Sequence, residues 1–546
     1  MLTDTALPTD ITQLRALCLE LQSALAEKDQ ALSEKEQTIL NKQATIDTLH
    51  EQLSLLRSKR YQRQSEQLKT LQCQLFDEAE LEQAIRETEA ALAKAQAEHP
   101  VKPEGIEKPT PKAQPKRKPL PDHLKRVDII IDVSEEDKHR MGDAWEAVGH
   151  DVSEQLAVQD RQYYVKRYLR VKYVRKQTPQ DESAIAQAQC DGGIKVAPRP
   201  AVILPKALAD ASLLADVIAS KFVDALSFYR KDKILQREGI HMGYSTLCDW
   251  PIQLAQRLEP LKKPLYEQLT SGDLWHLDET TLQVLREPGR DNDTNSYLWA
   301  IRAGPPDKPV IVFHYDSRRN YEALERWLSP YVKDFRGAII TDEHKPYNRL
   351  VQSYDNIQAH GGCWAHLRRK FSDAAKGRRH ASEAHSVLAM IAALYKLDKS
   401  LDGLTGQAKV DARRQKVKPH VEDIKRYVDQ LAAQFVSQGL MNTAIHYALN
   451  NWHKFTAFID HAALPLDNNP IERQIRPFTL GRRNWLFSGS PRGADASAFL
   501  YSLIETAKAN GWEPKAYLQI LFEQYPHAKT DDQRRELLPM FLKPSK

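Results

Sequence analysis

The sequence predicts a multidomain α/β protein, in which a mixed-sheet core with a helical insertion is preceded by a coiled coil, a small β-rich module and a helix-turn-helix-like pair. Three observations predict it. A heptad pattern is confined to roughly the first sixty residues, a stretch rich in Pro and Lys follows it, and beyond residue 266 strand-like and helix-like segments alternate in a fixed order. At 546 residues the chain exceeds what one compact core supports, which implies several units. The formal net charge of +5 permits a nucleic-acid partner without requiring one, because it is clustering of Lys and Arg that matters. Five cysteines, at 18, 73, 190, 248 and 363, form no Cys-x-x-Cys pair, as expected of a reduced, intracellular protein. No apolar run approaches the roughly 18 residues needed to span a bilayer, so neither secretion nor a membrane partner is expected.

Residues 1–95 read as a helical oligomerisation region. One seam carries Cys18, Leu25, Leu32, Ile39, Ile46 and Leu53; its partner carries Leu14, Leu21, Lys28, Lys35, Lys42, Leu49 and Leu56. A homo-oligomeric coiled coil follows, weakened where three lysines take core positions, with a long helix folding back on its own chain as the alternative. Residues 96–125, "EHPVKPEGIEKPTPKAQPKRKPLPDHLK" and its flank, hold too few bulky apolar side chains to fold alone and read as a basic linker. In the module at 126–205, "RVDIIIDVS" and "DRQYYVKRYLRVKYVRK" alternate as strands do, and set Lys166, Arg167, Arg170, Lys172, Arg175 and Lys176 among tyrosines. That face is either solvated or a DNA-contacting ribbon. Over 206–265 one helix runs to Gly239 and a second opens near Ser245, read as its N-cap, and Thr246. Helix, Gly-containing turn and helix suit a helix-turn-helix, although any packed pair has the same signature.

The core spans residues 266–510, and a helical tail occupies 511–546. Strands are expected at 274–284, "SYLWAIRA" and "KPVIVFHY", followed by the helix "NYEALERWLSPYV", the strand "GAIIT", a short helix, the strand "NIQAHGGC" and the helix "WAHLRRKF". This is the ribonuclease-H-like order, in which the first and fourth strands lie side by side. Asp278 on the first and Asp342 at the end of the fourth would then converge. Two converging carboxylates repel unless a cation separates them, and Mg²⁺ accepts oxygen ligands while leaving positions open to phosphate and water. A two-metal phosphoryl-transfer site needs a third acid. "LPLDNNPIERQIRPF" offers Glu472 and, as its rival, Asp467. With Asn469 as N-cap, Glu472 would be the third helical residue and could instead close a capping box. Cys363 and His366 in "CWAH" have a metal-like spacing but no second pair, which favours packing at a helix start. Arg368, Arg369 and Lys370, and the denser group Arg473, Arg476, Arg482, Arg483 and Arg492, are candidate phosphate contacts.

The segments "WHLDETTLQVL", "ITDEHKPYN", "CWAHLRRKF", "LDNNPIERQIRPFTLGRRNWLFSGSPRGADASAFLYSLIETAKANG" and "FDEAE" resemble the transposases of insertion sequence sixty-six over nearly the whole chain. The resemblance implies a DDE-type DNA transposase with Asp278, Asp342 and Glu472 as catalytic triad and metal ligands, and residues 372–460 as an insertion ahead of the Glu-bearing helix. It implies two Mg²⁺ ions, replaceable by Mn²⁺, and double-stranded DNA as partner. A bacterial, nucleoid-associated cytoplasmic location and element-encoded accessory proteins follow from the same likeness. A nuclease that cuts without joining, and a catalytically silent DNA-binding descendant, are the alternatives. The family's zinc-binding module carries cysteine pairs where this chain reads "EEDKHRMGDAW" and "VKYVRKQTPQ", so no zinc is expected.

Overall fold

A computed structural model of the chain describes residues 200–205, 207–376, 381–434 and 439–542, with residues 163–166, 172–174 and 194–196 and helical residues 22–23, 25–36, 38, 41–42, 45–50 and 52–53. The linker at 96–125, residues 1–21 and 54–95 of the oligomerisation region, and most of the module at 126–205 lie outside these residues. Of the heptad seam, Leu25 and Leu32 are exposed while Ile46 and Leu53 are buried. Within residues 101–200, a unit of its own, β1 (Lys172–Val174) and β2 (Ile194–Val196) pair antiparallel, with Tyr173 opposite Lys195.

The helical region differs from its sequence reading in two places. What reads as one helix up to Gly239 is two, α1 (Ala211–Phe222) and α2 (Phe228–Arg237). Ala225 takes a left-handed φ of 58° between them, and Ser227 Oγ then accepts from Arg230 N to start the second. The next helix, α3 (Tyr244–Arg257), begins one residue before Ser245, after Gly243 at φ 82°. Ser245 is therefore not the cap but a residue of the first turn, and no side chain caps this helix. Glycine at the left-handed cap position already sets the entry of the chain.

After α4 (Lys262–Glu267) the chain enters the sheet with β3 (Leu274–Val284), β4 (Asn295–Ala303) and β5 (Val310–Asp316), an antiparallel meander. Helix α5 (Tyr321–Val332) crosses to β6 (Gly337–Thr341), and α6 (Lys345–Ser353) leads to β7 (Ile357–Gly362). Both later strands are parallel to β3, giving the order β5-β4-β3-β6-β7. The fourth strand thus lies beside the first. Gly337 permits that approach, since a Cβ there would run into the Asp273 backbone. Trp275 anchors β3 from below: its indole N–H donates to the Leu269 carbonyl at 2.7 Å and its ring stacks on Phe335 at 4.2 Å.

Helix α7 (Trp364–Lys376) opens a run of helices comprising α8 (Ala381–Lys399), α9 (Gly406–Ala412), α10 (Lys418–Gln434), α11 (Leu440–Asn450) and α12 (Trp452–Thr456). They bury Ile391, Val421, Ile424, Val428 and Ile445 in a continuous apolar cluster that reaches Ile340 of the sheet. Arg413 is fully buried; it pairs with Asp398 and donates to the carbonyls of Phe458, His461 and Leu464, fixing the exit of the chain.

The chain returns as α13 (Asn469–Trp485), a short strand β8 (Phe487–Ser488) beside the far end of β3, and α14 (Pro491–Ala509). Helix α14 covers the outer edge of β5, where the Thr506 hydroxyl bonds Ile311 and the Ser502 hydroxyl bonds Phe313. Hydroxyls here satisfy backbone groups that an open strand edge would leave exposed. Two helices, α15 (Pro514–Gln524) and α16 (Asp531–Arg535), close the described chain. Among the described residues no helix is long and apolar enough to cross a membrane.

Candidate active site

Strand β6 pairs with β3 only at Leu274–His276, and β8 only at Gln283–Val284, so the edge of β3 between them needs other partners. Helix α13 supplies two. Asn468, its N-cap and fully buried, donates from Nδ2 to the Leu277 carbonyl at 2.8 Å and accepts at Oδ1 from His276 Nδ1 at 2.9 Å. Arg482, about four turns on, bonds the Thr281 carbonyl and the Thr281 hydroxyl. The first ends of α13 and β3 are thereby held together, and Glu472 in the first turn of α13 faces the region of Asp278.

Asp278 lies in mid-strand and accepts the Glu279 backbone N–H at 2.9 Å. Asp342 is the first residue beyond β6; its Oδ1 accepts from the His344 backbone N–H at 3.2 Å, and its carbonyl accepts the Thr341 hydroxyl at 2.6 Å. Glu472 is 1% exposed, and neither carboxylate oxygen has a hydrogen-bond partner. Its nearest charged neighbours are Arg369 at 3.6 Å from Oε2 and His366 at 3.6 Å from Oε1. Burial drives His366 down to about 3, so the imidazole is neutral and only Arg369 balances the carboxylate.

The three acids sense one another. Burial first, and then the charges of Asp342, Glu279 and Glu472, hold the Asp278 carboxyl well above the ordinary 3.8. Burial and then Glu279 push Asp342 up to about 6, against the opposing charge of Arg319. Burial raises Glu472, Arg369 lowers it, and Asp467 and Asp342 raise it again. Buried, mutually repelling oxygen donors with two orphaned carboxylate oxygens fit a hard divalent cation such as Mg²⁺.

The structure removes the capping-box reading of Glu472. The N-cap is Asn468 rather than Asn469, its side chain makes no cap bond to the helix start, and Glu472 falls one position beyond the one a capping box uses. Asp467, the rival acid, is engaged locally: its Oδ1 accepts the Asn469 N–H at 3.1 Å.

The basic candidates divide. Arg473, Arg483 and Arg492 are exposed, Arg476, Arg368 and Arg369 are half-buried, and Lys370 is exposed with its ammonium 5.5 Å from the Tyr447 ring. Arg482, expected to contact phosphate, is instead buried at 6% exposure and bonds Thr281, so it ties α13 to the sheet. Ser245 is exposed and Thr246 half-buried at the start of α3.

Several contributors were not singled out from sequence. Glu279, on the opposite strand face from Asp278, receives the Tyr347 hydroxyl and the Arg319 guanidinium, 2.8 Å from Nε. Lys454, buried in the helical insertion, reaches Glu343 and Asn348 at 2.6 Å each and so pins the loop that carries Asp342. Adjacent acids in "LDE" and "TDE" were the only available signal. Cys363 is buried and accepts the Asn468 N–H at 3.2 Å, which agrees with packing at a helix start. It also lies with His366 and Glu472 in a cluster whose ligand atoms are all within 4.8 Å of one another.

Comparison with known proteins matches residues 206–496 to the model described as Transposase IS66 family, residues 502–540 to the IS66 C-terminal element, and residues 48–129 to Transposase C of IS166 homeodomain. Similar curated proteins come from Sinorhizobium fredii (strain NBRC 101917 / NGR234). Uncharacterized protein y4jD is 29% identical over 430 residues, 77% of this chain and 81% of its own length. Uncharacterized protein y4qI is 27% identical over 472 residues, 84% and 83% of the two chains. Uncharacterized protein y4hP is 27% identical over 481 residues, 85% and 82%.

Proposed function

Because the chain belongs to the IS66 transposase family, whose model covers its residues 206–496, we propose that Asp278, Asp342 and Glu472 form a DDE-type site that cleaves and joins DNA. The observation that carries this reading is the burial of Glu472 with both oxygens free of hydrogen bonds, beside two aspartates whose carboxyls repel each other. The sheet order, with the fourth strand beside the first, supports a ribonuclease-H-like core.

Asp278, Asp342 and Glu472 would hold two Mg²⁺ ions, with Mn²⁺ as substitute. Such ions, when bound, polarise the scissile phosphate and lower the pKa of the attacking hydroxyl. The chain's own residues supply the geometry. β3 and the end of β6 fix the two aspartates on rigid backbone, Asn468 and Arg482 set the angle of α13, and Lys454 steadies the loop after Asp342. Water attacks the phosphodiester at the element end in line, releasing a 3′-hydroxyl; that hydroxyl then attacks a target phosphodiester and expels the target's 3′-oxygen. No covalent bond to protein is needed.

Arg473, Arg476, Arg483 and Arg492, with Arg368, Arg369 and Lys370 across the site, are suited to the phosphates of double-stranded DNA. The α2–α3 pair, with Ser245 and Thr246 at the start of α3, is a second candidate DNA contact. Residues 10–60 are proposed to assemble copies of the chain, and the module at 126–205 to fold without zinc. Purified protein incubated with labelled element ends and Mg²⁺ tests the whole reading. Joined products support a transposase, cut ends alone indicate a nuclease, and binding without either indicates a silent DNA-binding protein.

A further inference from the structure

Cys363 precedes the first residue of α7 and His366 lies three residues on, so both sit on one face of a helix start. Their third neighbour is Glu472, 1% exposed, with both oxygens lacking hydrogen bonds. His366 Nδ1 likewise has no hydrogen-bond partner and stands 3.6 Å from Glu472 Oε1. In tetrahedral zinc sites, bonds of about 2.0 Å to nitrogen and oxygen and about 2.3 Å to sulfur set donor atoms about 3.3–3.5 Å apart. The imidazole and carboxylate, at 3.6 Å, are close to that spacing, and all three donor atoms lie within 4.8 Å of one another. The Asn468 N–H donates to Cys363 Sγ, as donors that steady a metal-bound thiolate do, and Arg369 stands 3.6 Å from the other carboxylate oxygen.

We propose that Cys363, His366 and Glu472 form a binding site for one thiophilic divalent ion, Zn²⁺, which shares Glu472 with the all-oxygen site. Sulfur and nitrogen donors select zinc over magnesium. Thiolate, carboxylate and neutral imidazole together balance its charge, and three protein ligands leave a fourth position for water. The site departs from the expectation of a zinc-free chain, which rested on missing cysteine pairs elsewhere. Its consequence rests on the DDE reading of Glu472: a carboxylate claimed by zinc is withheld from the magnesium site, so zinc acts as a reversible inhibitor.

The test is a Co²⁺ titration of the full-length, DNA-free protein. One equivalent should produce a thiolate-to-cobalt charge-transfer band with strong tetrahedral visible bands, displaced by stoichiometric Zn²⁺ but only by a large excess of Mg²⁺, which competes for Glu472 alone. Cys363→Ser should lose the charge-transfer band, His366→Gln should bind at least about tenfold more weakly, and Cys248→Ser should leave the spectrum unchanged. If Cys363→Ser does not fold, His366→Gln carries the test. Absence of the band in the wild type, or a band that survives either site substitution unchanged, overturns the proposal. The readout is spectroscopic and needs no cleavage, so it stands or falls separately from DNA transfer.

Discussion

Asn468 Oδ1 lies 2.9 Å from His276 Nδ1, joining the cap of the helix that carries Glu472 to the strand that carries Asp278. Burial lowers His276 to about 4, so the imidazole is neutral and its Nδ1–H donates, while the Asn468 amide N–H donates to Leu277. Replacing Asn468 with Ala strands the Leu277 carbonyl and His276 in a dry place, at about 1–3 kcal/mol for each group left unpaired. Denaturant unfolding should show a loss of roughly that size. DNA cleavage should fall in the molecules that remain folded, because Glu472 loses its register against Asp278. Unchanged cleavage per folded molecule would show that the tie does not position the acid.

Arg482 and Arg483 are neighbours with opposite expected effects. Arg482→Met should lower stability, by a few kcal/mol at most, and leave DNA affinity of the folded protein nearly intact. Arg473→Ala and Arg483→Ala should cost little stability, weaken DNA binding, and each reduce the salt dependence of binding by about one unit of slope. Affinity measured across a salt series separates the two classes.

Without metal, Asp342 keeps its proton up to about pH 6, against 3.8 for an ordinary aspartate. Between those values the folded chain binds more protons than the unfolded one, so this group's contribution to stability is present at low pH and is lost as pH rises through about 6. Glu279 raises the group while His344 and Arg319 oppose it. The loss is at most about 3 kcal/mol. Asp342→Asn should remove it and make the metal-free protein more stable above this window. Mg²⁺ should stabilise the wild type there, by about 2.7 kcal/mol at a hundredfold excess over Kd, and not the variant. Thermal melts with chelator and with Mg²⁺ read both effects.

Much of this arrangement was legible because strands alternate and connections are short. The meander and the helix crossovers follow from apolar runs and their spacing; the adjacency of the first and fourth strands, and with it the convergence expected of Asp278 and Asp342, came from likening that element order to a ribonuclease-H-like fold. What escaped depends on contacts between residues distant in sequence. Asn468 rather than Asn469 caps α13 because its amide is engaged with β3, nearly two hundred residues earlier, and that shift moves Glu472 out of capping-box position. Arg482 looked like its exposed neighbour Arg483 until the open edge of β3 was found to consume its guanidinium. Ser245 had the right chemistry for a cap, but Gly243 had already set the backbone. The Cys363–His366 pair lacked a partner in sequence because Glu472 comes 106 residues after His366.

Leu25 and Leu32 are 65% and 57% exposed in the single chain, on the seam beside the one interrupted by Lys28, Lys35 and Lys42. Changing these lysines to Leu should tighten self-association, since like charges in a coiled-coil core repel. Sedimentation of both proteins at equal concentration measures the shift. A full-length protein that stays monomeric in either form contradicts a coiled-coil assembly.

The central claim is that three carboxylates, not two, make the reactive site, and Glu472→Gln tests it most directly. The amide keeps the size of the side chain and removes its charge. Labelled element ends incubated with Mg²⁺ should then be neither cut nor joined, while far-UV circular dichroism and DNA binding match the wild type, as should also hold for Asp278→Asn and Asp342→Asn. Cleavage that persists in Glu472→Gln at the wild-type rate would remove it from the site and return the third ligand to Asp467.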